Sequence, residues 1–281
     1  MADTDSHFAA FSFVDRIDVF EPRRLVRGRY HVPPDVRFPA CLAAEAVGQL
    51  AAWVSMDAVD YRGRPVAALA GDTRFHGDVP PGAVLELAAD VESCDDEAFA
   101  YTGHASVAGQ RVIELFDCFA PLLPVPEFDT PEALRGRFAL LRGDGAVPGR
   151  FRGVAPFALA PLPGEPGRLR RAALDVPAVA PFFADHFPRR PVFPATLLLD
   201  TLIGVALALA AERGGPVPPL ARMTRVKVRS FTPPATRLEL AAELVAATPG
   251  GASIALTATA EGRNVATARV ELAAPGAEDS Q

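Results

Sequence analysis

The sequence predicts an α+β protein in which an antiparallel sheet wraps a long apolar helix, and it predicts that unit twice. Three observations carry this expectation. The chain repeats itself, each repeat holds one strongly apolar helical run, and strand-like runs of alternating Val, Leu, Thr and Ala follow each helix.

The repeat is read directly. "HVPPDVRFPACLAAEAVGQLA" from His31 matches "HFPRRPVFPATLLLDTLIGVA" from His186, a register of 155. It aligns Pro33 with Pro188, Phe38 with Phe193, Pro39 with Pro194, Ala40 with Ala195, Leu42 with Leu197 and Glu45 with Asp200. "VPPGAVLELAADV" from Val79 matches "TPPATRLELAAEL" from Thr232, a register of 153. Two long matches in one order and nearly one register indicate a tandem duplication. The expected units are residues 1–126 and 151–281, with 127–150 between them.

Within each half, a strand-like opening leads to a proline-rich turn and then to the helix. The helices from about Ala40 and about Ala195 are apolar on nearly every face, which places them in the middle of the protein. "AVLELAADVESC", "AFAYTGHASVA" and "RVIELFDCFAPL" follow in the first half, and "RLELAAELVAAT", "ASIALTATAEG" and "VATARVELAA" in the second. Gly and Pro punctuation between these runs predicts an antiparallel meander. "TPEALRGRFALLR" reads as a linking helix: Thr130 caps it, Pro131 suits the first turn, and Glu132 sits near the positive end. "GDGAVPG" ends it.

Composition narrows the function. The chain has 281 residues, of which 49% are hydrophobic and 22% charged, a globular balance. Net charge is −6 and no basic tract is present, which argues against a nucleic-acid partner. Cys41, Cys94 and Cys118 make neither CxxC nor a metal spacing, as expected in a reducing compartment. The N-terminus has no basic stretch followed by an apolar one, so no signal peptide is read and a cytoplasmic location is expected. The longest apolar stretch, 195–211, contains Asp200 and falls short of the about 20 residues a membrane span needs. No HxH, HExxH or GxSxG occurs, and Pro148 spoils a GxGxxG reading of the glycines before it. No metal or dinucleotide is therefore expected.

The informative residues are the acids inside the apolar helices. Each helix carries one carboxylate at the matched position, Glu45 or Asp200. A buried carboxylate is costly unless it is paired, hydrogen-bonded or protonated. Either a local partner such as an arginine satisfies it, or it lines a cavity. Gln49 lies four residues after Glu45, on the same helix face. Histidine is the natural complement, because it exchanges protons near neutral pH. His7 stands near a terminus, and His76 and His104 stand in strand or turn contexts. His31 and His186 occupy the matched position ahead of the helices.

At this point a resemblance enters. "DHFPRRPVFPATLLLDTLIG" resembles the signature of the FabA/FabZ-type β-hydroxyacyl-acyl carrier protein dehydratases, HFPxxPVxPGxLxxE/D, through His186, Phe187, Pro188, Pro191, Val192, Pro194, Leu197 and Asp200. "FPACLAAEAVGQLAAW" resembles the same family's helix, with Glu45 at the acid and Gln49 at the glutamine. The resemblance implies a double hot dog: two antiparallel sheets, each around a central helix, joined as an intrachain pseudo-dimer. It implies the pairs His186 with Glu45 and His31 with Asp200. It implies dehydration of a 3-hydroxyacyl thioester in fatty-acid, polyketide or polyene synthesis, with histidine as base at C2 and the protonated carboxyl helping the C3 hydroxyl leave. Gln49, the helix openings Ala40–Cys41 and Ala195–Thr196, and Phe187 and Pro194 of the motif would bind substrate. No cofactor is implied beyond the phosphopantetheine arm of an acyl carrier protein, or coenzyme A, that carries the acyl group. A homodimer of pseudo-dimers is compatible with it.

The departures are specific. Ala40 and Ala195 replace the helix-opening glycine, and the His31 stretch lacks the motif's phenylalanine and middle proline. Gly204 and Val205 follow Asp200 where a polar residue is expected. These mark His186/Glu45 as the working site. A hot-dog thioesterase, an enoyl-CoA hydratase and a non-catalytic acyl-binding scaffold remain as alternatives.

Overall fold

A computed structural model describes residues 7–248 and 250–273. The first half supplies strands β1 (Arg16–Glu21), β2 (Leu25–His31), β3 (Gly63–Pro65), β4 (Leu69–Phe75), β5 (Val84–Cys94), β6 (Ala98–Val107) and β7 (Gln110–Pro124). The second supplies β8 (Leu159–Glu165), β9 (Leu169–Asp175), β10 (Leu220–Val228), β11 (Arg237–Thr248), β12 (Gly251–Ala260) and β13 (Arg263–Ala273). The helices are α1 (Ala40–Ala58), α2 (Pro131–Arg142) and α3 (Ala195–Ala211).

The alternating runs become β5–β7 and β11–β13, each paired antiparallel with its neighbour. The sheet runs β1-β2-β5-β6-β7-β4-β10-β13-β12-β11-β9-β8, with β3 added beside β7. Read inward from either outer edge, the two halves follow the same order. The two sheets that the sequence predicts are joined into one continuous sheet. Its halves meet along β4 and β10, where Thr73 opposes Met223 and Ala70 opposes Val226. Two free edges would each expose a row of unpaired N–H and C=O groups, and pairing them satisfies both rows. Of the outer edges, β8 is blunted by Pro161 and Pro163. On β1, Phe20 packs edge-on against Phe138 of α2, with ring centroids 5.0 Å apart.

Both long helices are buried. Val47, Leu50 and Val54 of α1 and Leu202, Ala206 and Leu209 of α3 have no exposed surface. Each large aliphatic side chain so placed contributes about 1.5–3 kcal/mol of transfer free energy. α1 lies on β5 and β6, α3 lies on β11 and β12, and the helices also touch each other. Gly103 of β6 lets α1 approach the sheet closely. A Cβ there would stand 2.5 Å from Val47 Cγ1 and 2.8 Å from the Ala88 carbonyl oxygen. α2 begins as its sequence predicts, with the Thr130 hydroxyl accepting from the Ala133 amide at 3.1 Å and Pro131 in the first turn. Among the described residues no helix is long and apolar enough to cross a membrane.

The two halves differ at one place that matters. Eight residues (32–39) connect β2 to α1, whereas nineteen (176–194) connect β9 to α3. The longer connection contains a short 3-10 turn, Pro181–Ala184, followed by His186.

Candidate active site

A cavity of about 250 Å³ opens between α1, the 176–194 connection and the sheet near the β4–β10 junction. Glu45 and Gln49 line it from α1, His186 and Phe187 from the connection, and Ala195 and Thr196 from the start of α3. Its wall is mostly apolar, with Trp53, Phe99, Met223 and Phe231 among the lining residues.

His186 is held by backbone. Its amide donates to the Phe182 carbonyl at 2.9 Å, and its own carbonyl accepts from the Val192 amide at 2.9 Å. Its Nδ1 lies 2.8 Å from the Val192 carbonyl oxygen. A carbonyl only accepts, so Nδ1 carries the hydrogen and the neutral ring keeps its lone pair on Nε2. Desolvation inside the cavity pushes the imidazole pKa down; the Glu45 charge and the Val192 carbonyl push it up, and the Arg64 guanidinium pushes it down. The net direction is down, which favours the neutral ring, the form that accepts a proton. Phe187 stacks on the ring with centroids 4.1 Å apart.

Glu45 sits in the second turn of α1 and is tied to both halves. Its Oε1 accepts from Gln49 Nε2 at 3.0 Å. Its Oε2 meets the Thr196 hydroxyl at 2.8 Å, across the contact between α1 and α3. Gln49 gives Nε2 to the Phe11 carbonyl as well, at 2.9 Å, and its Oε1 accepts from the Phe13 amide at 2.8 Å. Both amide hydrogens of Gln49 are therefore committed within the protein, so it positions Glu45 rather than offering a donor to substrate. Pro194 is the N-cap of α3 and no side chain caps that helix. The first-turn amides of Ala195 and Thr196 consequently have no partner within the helix.

The sequence-expected second pair does not assemble. His31 is the last residue of β2 and stands opposite Val84. Its amide and Nδ1 both meet Asp15 Oδ2, at 2.7 and 3.0 Å. Asp200 instead faces Arg37 at 3.9 Å; burial pushes its carboxyl pKa up, against the pull of Arg37. The physical reason lies in the connections. Val84 and Arg237 are matched by the 153 register, and Arg237 opposes Asp175. The fold counterpart of His31 is therefore Asp175, and the segment carrying His186 has no counterpart in the first half. Neither His31 nor Asp200 lines the cavity. The cavity lining likewise excludes Ala40, Cys41 and Pro194; Cys41 is buried under the first turn of α1.

Sequence reasoning passed over Asp185, Arg64 and the segment ahead of β1. Asp185 is buried and lines the cavity beside His186. Its signal was an acid in the otherwise apolar run "PFFADHF". Arg64 lines the cavity from β3, with its guanidinium 4.5 Å from the Phe187 ring centroid and 3.7 Å from Asp129 Oδ2. Among the described residues no group of three His, Cys, Asp or Glu side chains is placed to hold a metal ion.

An extended antiparallel sheet on buried helices, with an acid from one helix in the same cavity as a histidine ahead of the other, defines a hot-dog-like protein. Solved structures agree on the fold. A putative oleoyl thioesterase from Lactobacillus plantarum superposes with a TM-score of 0.58 at 10% identity, covering 89% of this chain and 97% of that one. A MaoC-like dehydratase superposes with a TM-score of 0.54 at 13% identity, covering 90% and 98%. Residues 166–268 match the family model of ApeI-like dehydratases (ApeI dehydratase). The 3-hydroxyacyl-[acyl-carrier-protein] dehydratase FabZ of Ruminiclostridium cellulolyticum is 29% identical over 112 residues, 39% of this chain and 79% of the relative. FabZ of Escherichia coli strain K12 / DH10B is 37% identical over 75 residues, 26% of this chain and 47% of the relative, so that match spans about half of it. The chain is thus similar to FabZ-type hot-dog dehydratases, most directly in its second half. The family-model match contains His186 and Asp200; Glu45 lies outside it, in the first half.

Proposed function

We propose that the chain is a double hot dog, residues 1–126 and 151–281 packed as an intrachain pseudo-dimer with 127–150 as linker, and that it dehydrates 3-hydroxyacyl thioesters at one site. The observation that carries the reading is a histidine, its Nδ1 held 2.8 Å from the Val192 carbonyl oxygen, sharing an apolar cavity with Glu45 from the other half. His186 Nε2 removes a proton from C2. The C2–H electrons form the C2–C3 double bond as the C3–O bond breaks. Glu45, acting in its protonated form, delivers its proton to the departing hydroxyl, which leaves as water, and the proton taken up by His186 restores the starting state after product leaves. The amides of Ala195 and Thr196, at the positive end of α3, polarise the thioester carbonyl and stabilise the charge that develops there. Thr196 links that helix end to Glu45, so acid and carbonyl site move as one unit.

No cofactor of the protein's own enters this reaction. The acyl group arrives on the phosphopantetheine of an acyl carrier protein or on coenzyme A, in a cytoplasmic setting, and a homodimer of pseudo-dimers is compatible with the site. His186→Ala should abolish conversion of a 3-hydroxyacyl pantetheine thioester to the enoyl form, followed by enoyl absorbance. Release of free thiol in place of enoyl product would reassign the site to thioester hydrolysis, and full turnover by the variant would remove His186 from the mechanism.

A further inference from the structure

Residues 7–14, ahead of β1, belong to no strand, and they cross the candidate site. Phe8, Phe11 and Ser12 line the cavity. The segment is fastened at both catalytic groups. The buried Asp185, immediately before His186, accepts from the Phe8 amide (2.5 Å), the Phe11 amide (2.7 Å) and the Ser12 hydroxyl (3.1 Å). Gln49, one turn beyond Glu45, holds the Phe13 amide and the Phe11 carbonyl. The Phe11 ring stands edge-on to His186, with centroids 5.8 Å apart. Arg137 lies over the Phe8 ring at 5.2 Å and donates to the Val14 carbonyl at 3.4 Å.

A buried carboxylate is tolerated when donors satisfy it, and charge-assisted bonds of this kind are about twice as strong as neutral ones. The three side-chain bonds of Asp185 all go to this one segment, at the end of it that faces His186, while Gln49 and Arg137 hold it further along. The first half has no counterpart to Asp185, because the connection that carries it occurs only in the second half.

We propose that Asp185 is a positioning residue that fastens residues 8–13 as a fixed wall of the cavity, and that this wall sets the size of acyl group the cavity accepts. The inference rests on the reading of the cavity as an acyl-thioester site. With the wall fixed, Phe8 and Phe11 limit the space beside His186. With it released, the cavity opens on that side and admits longer chains.

The test uses unreactive pantetheine amides of a short and a long saturated acyl group, bound to the full chain and measured by calorimetry. Asp185→Ala should shift the long-to-short affinity ratio toward the long chain by about tenfold and speed hydrogen exchange at the Phe8 and Phe11 amides. Asp185→Asn, isosteric and retaining one acceptor oxygen, should fall between, and it carries the test if the alanine variant does not fold. A purely structural role for Asp185 would lower Tm and leave the ratio unchanged, which overturns the proposal. Unchanged exchange at Phe8 and Phe11 overturns it too, as does failure of the wild type to bind either amide. Dehydration is assayed separately: a shifted ratio without enoyl formation would defeat the proposed reaction and leave the wall standing.

Discussion

At the residue scale, His186 and Glu45 are separated in role by their neighbours. The imidazole is desolvated and bonded at Nδ1 to a carbonyl, while the carboxylate is met by an amide and a hydroxyl. Because burial lowers the His186 pKa in the folded chain, the acid limb of kcat/KM should lie below the ordinary histidine value of about 6.5. The same shift has a stability consequence. As pH falls, the unfolded chain takes up this proton first, so the contribution is full above about 6.5 and is lost as pH falls through the lowered folded value. Melting of His186→Phe against wild type over that range should show a shallower acid decline in the variant. Glu45 and Gln49 were legible because an acid and an amide at helical spacing are rare in an apolar run, and His186 because it stands at the repeat's matched position in a proline-studded motif. Asp185 was not, since its donors lie more than a hundred and seventy positions away in sequence. His31 misled because its sequence match to His186 conceals the extra length between β9 and α3.

At the scale of elements, period and punctuation carried most of the fold. The alternating runs became strands, and Thr130 with Pro131 placed the start of α2. What they could not carry was how closely a helix sits on its sheet. That depends on single positions such as Gly103, whose missing side chain leaves room for Val47. Gly103→Ala puts a methyl group against backbone as well as side chain, so α1 must lift. Denaturant unfolding should show a loss of about 1–3 kcal/mol, the usual cost of overpacking. Activity should fall with it, because Glu45 rides on the same helix. Unchanged stability would mean that the helix lies further from β6 than described.

At the scale of the whole molecule, the duplication predicts two units, and the pairing of β4 with β10 makes their sheets one. No local pattern announces that pairing: β4 carries Asp72 and Arg74 in a run that reads as an ordinary edge, and Asp72 finds Arg222 of β10 at 2.6 Å only once the halves meet. A continuous sheet should unfold as one unit. Trp53, the sole tryptophan of the sequence, stacks on Phe138 and reports on the first half; far-ultraviolet circular dichroism reports on both. The two transitions should coincide in denaturant, and separated midpoints would show halves that unfold independently.

The proposed reaction uses one site, with its base from the second half and its acid from the first. Glu45 and Asp200 occupy matched positions on α1 and α3, yet only Glu45 lines the cavity with His186. The most direct test is the kcat/KM of Glu45→Gln and Asp200→Asn on one 3-hydroxyacyl pantetheine thioester. Glu45→Gln should lose about a hundredfold or more, the usual contribution of a general acid, while Asp200→Asn stays within a few-fold of wild type. Loss of activity in Asp200→Asn with activity retained in Glu45→Gln would contradict it.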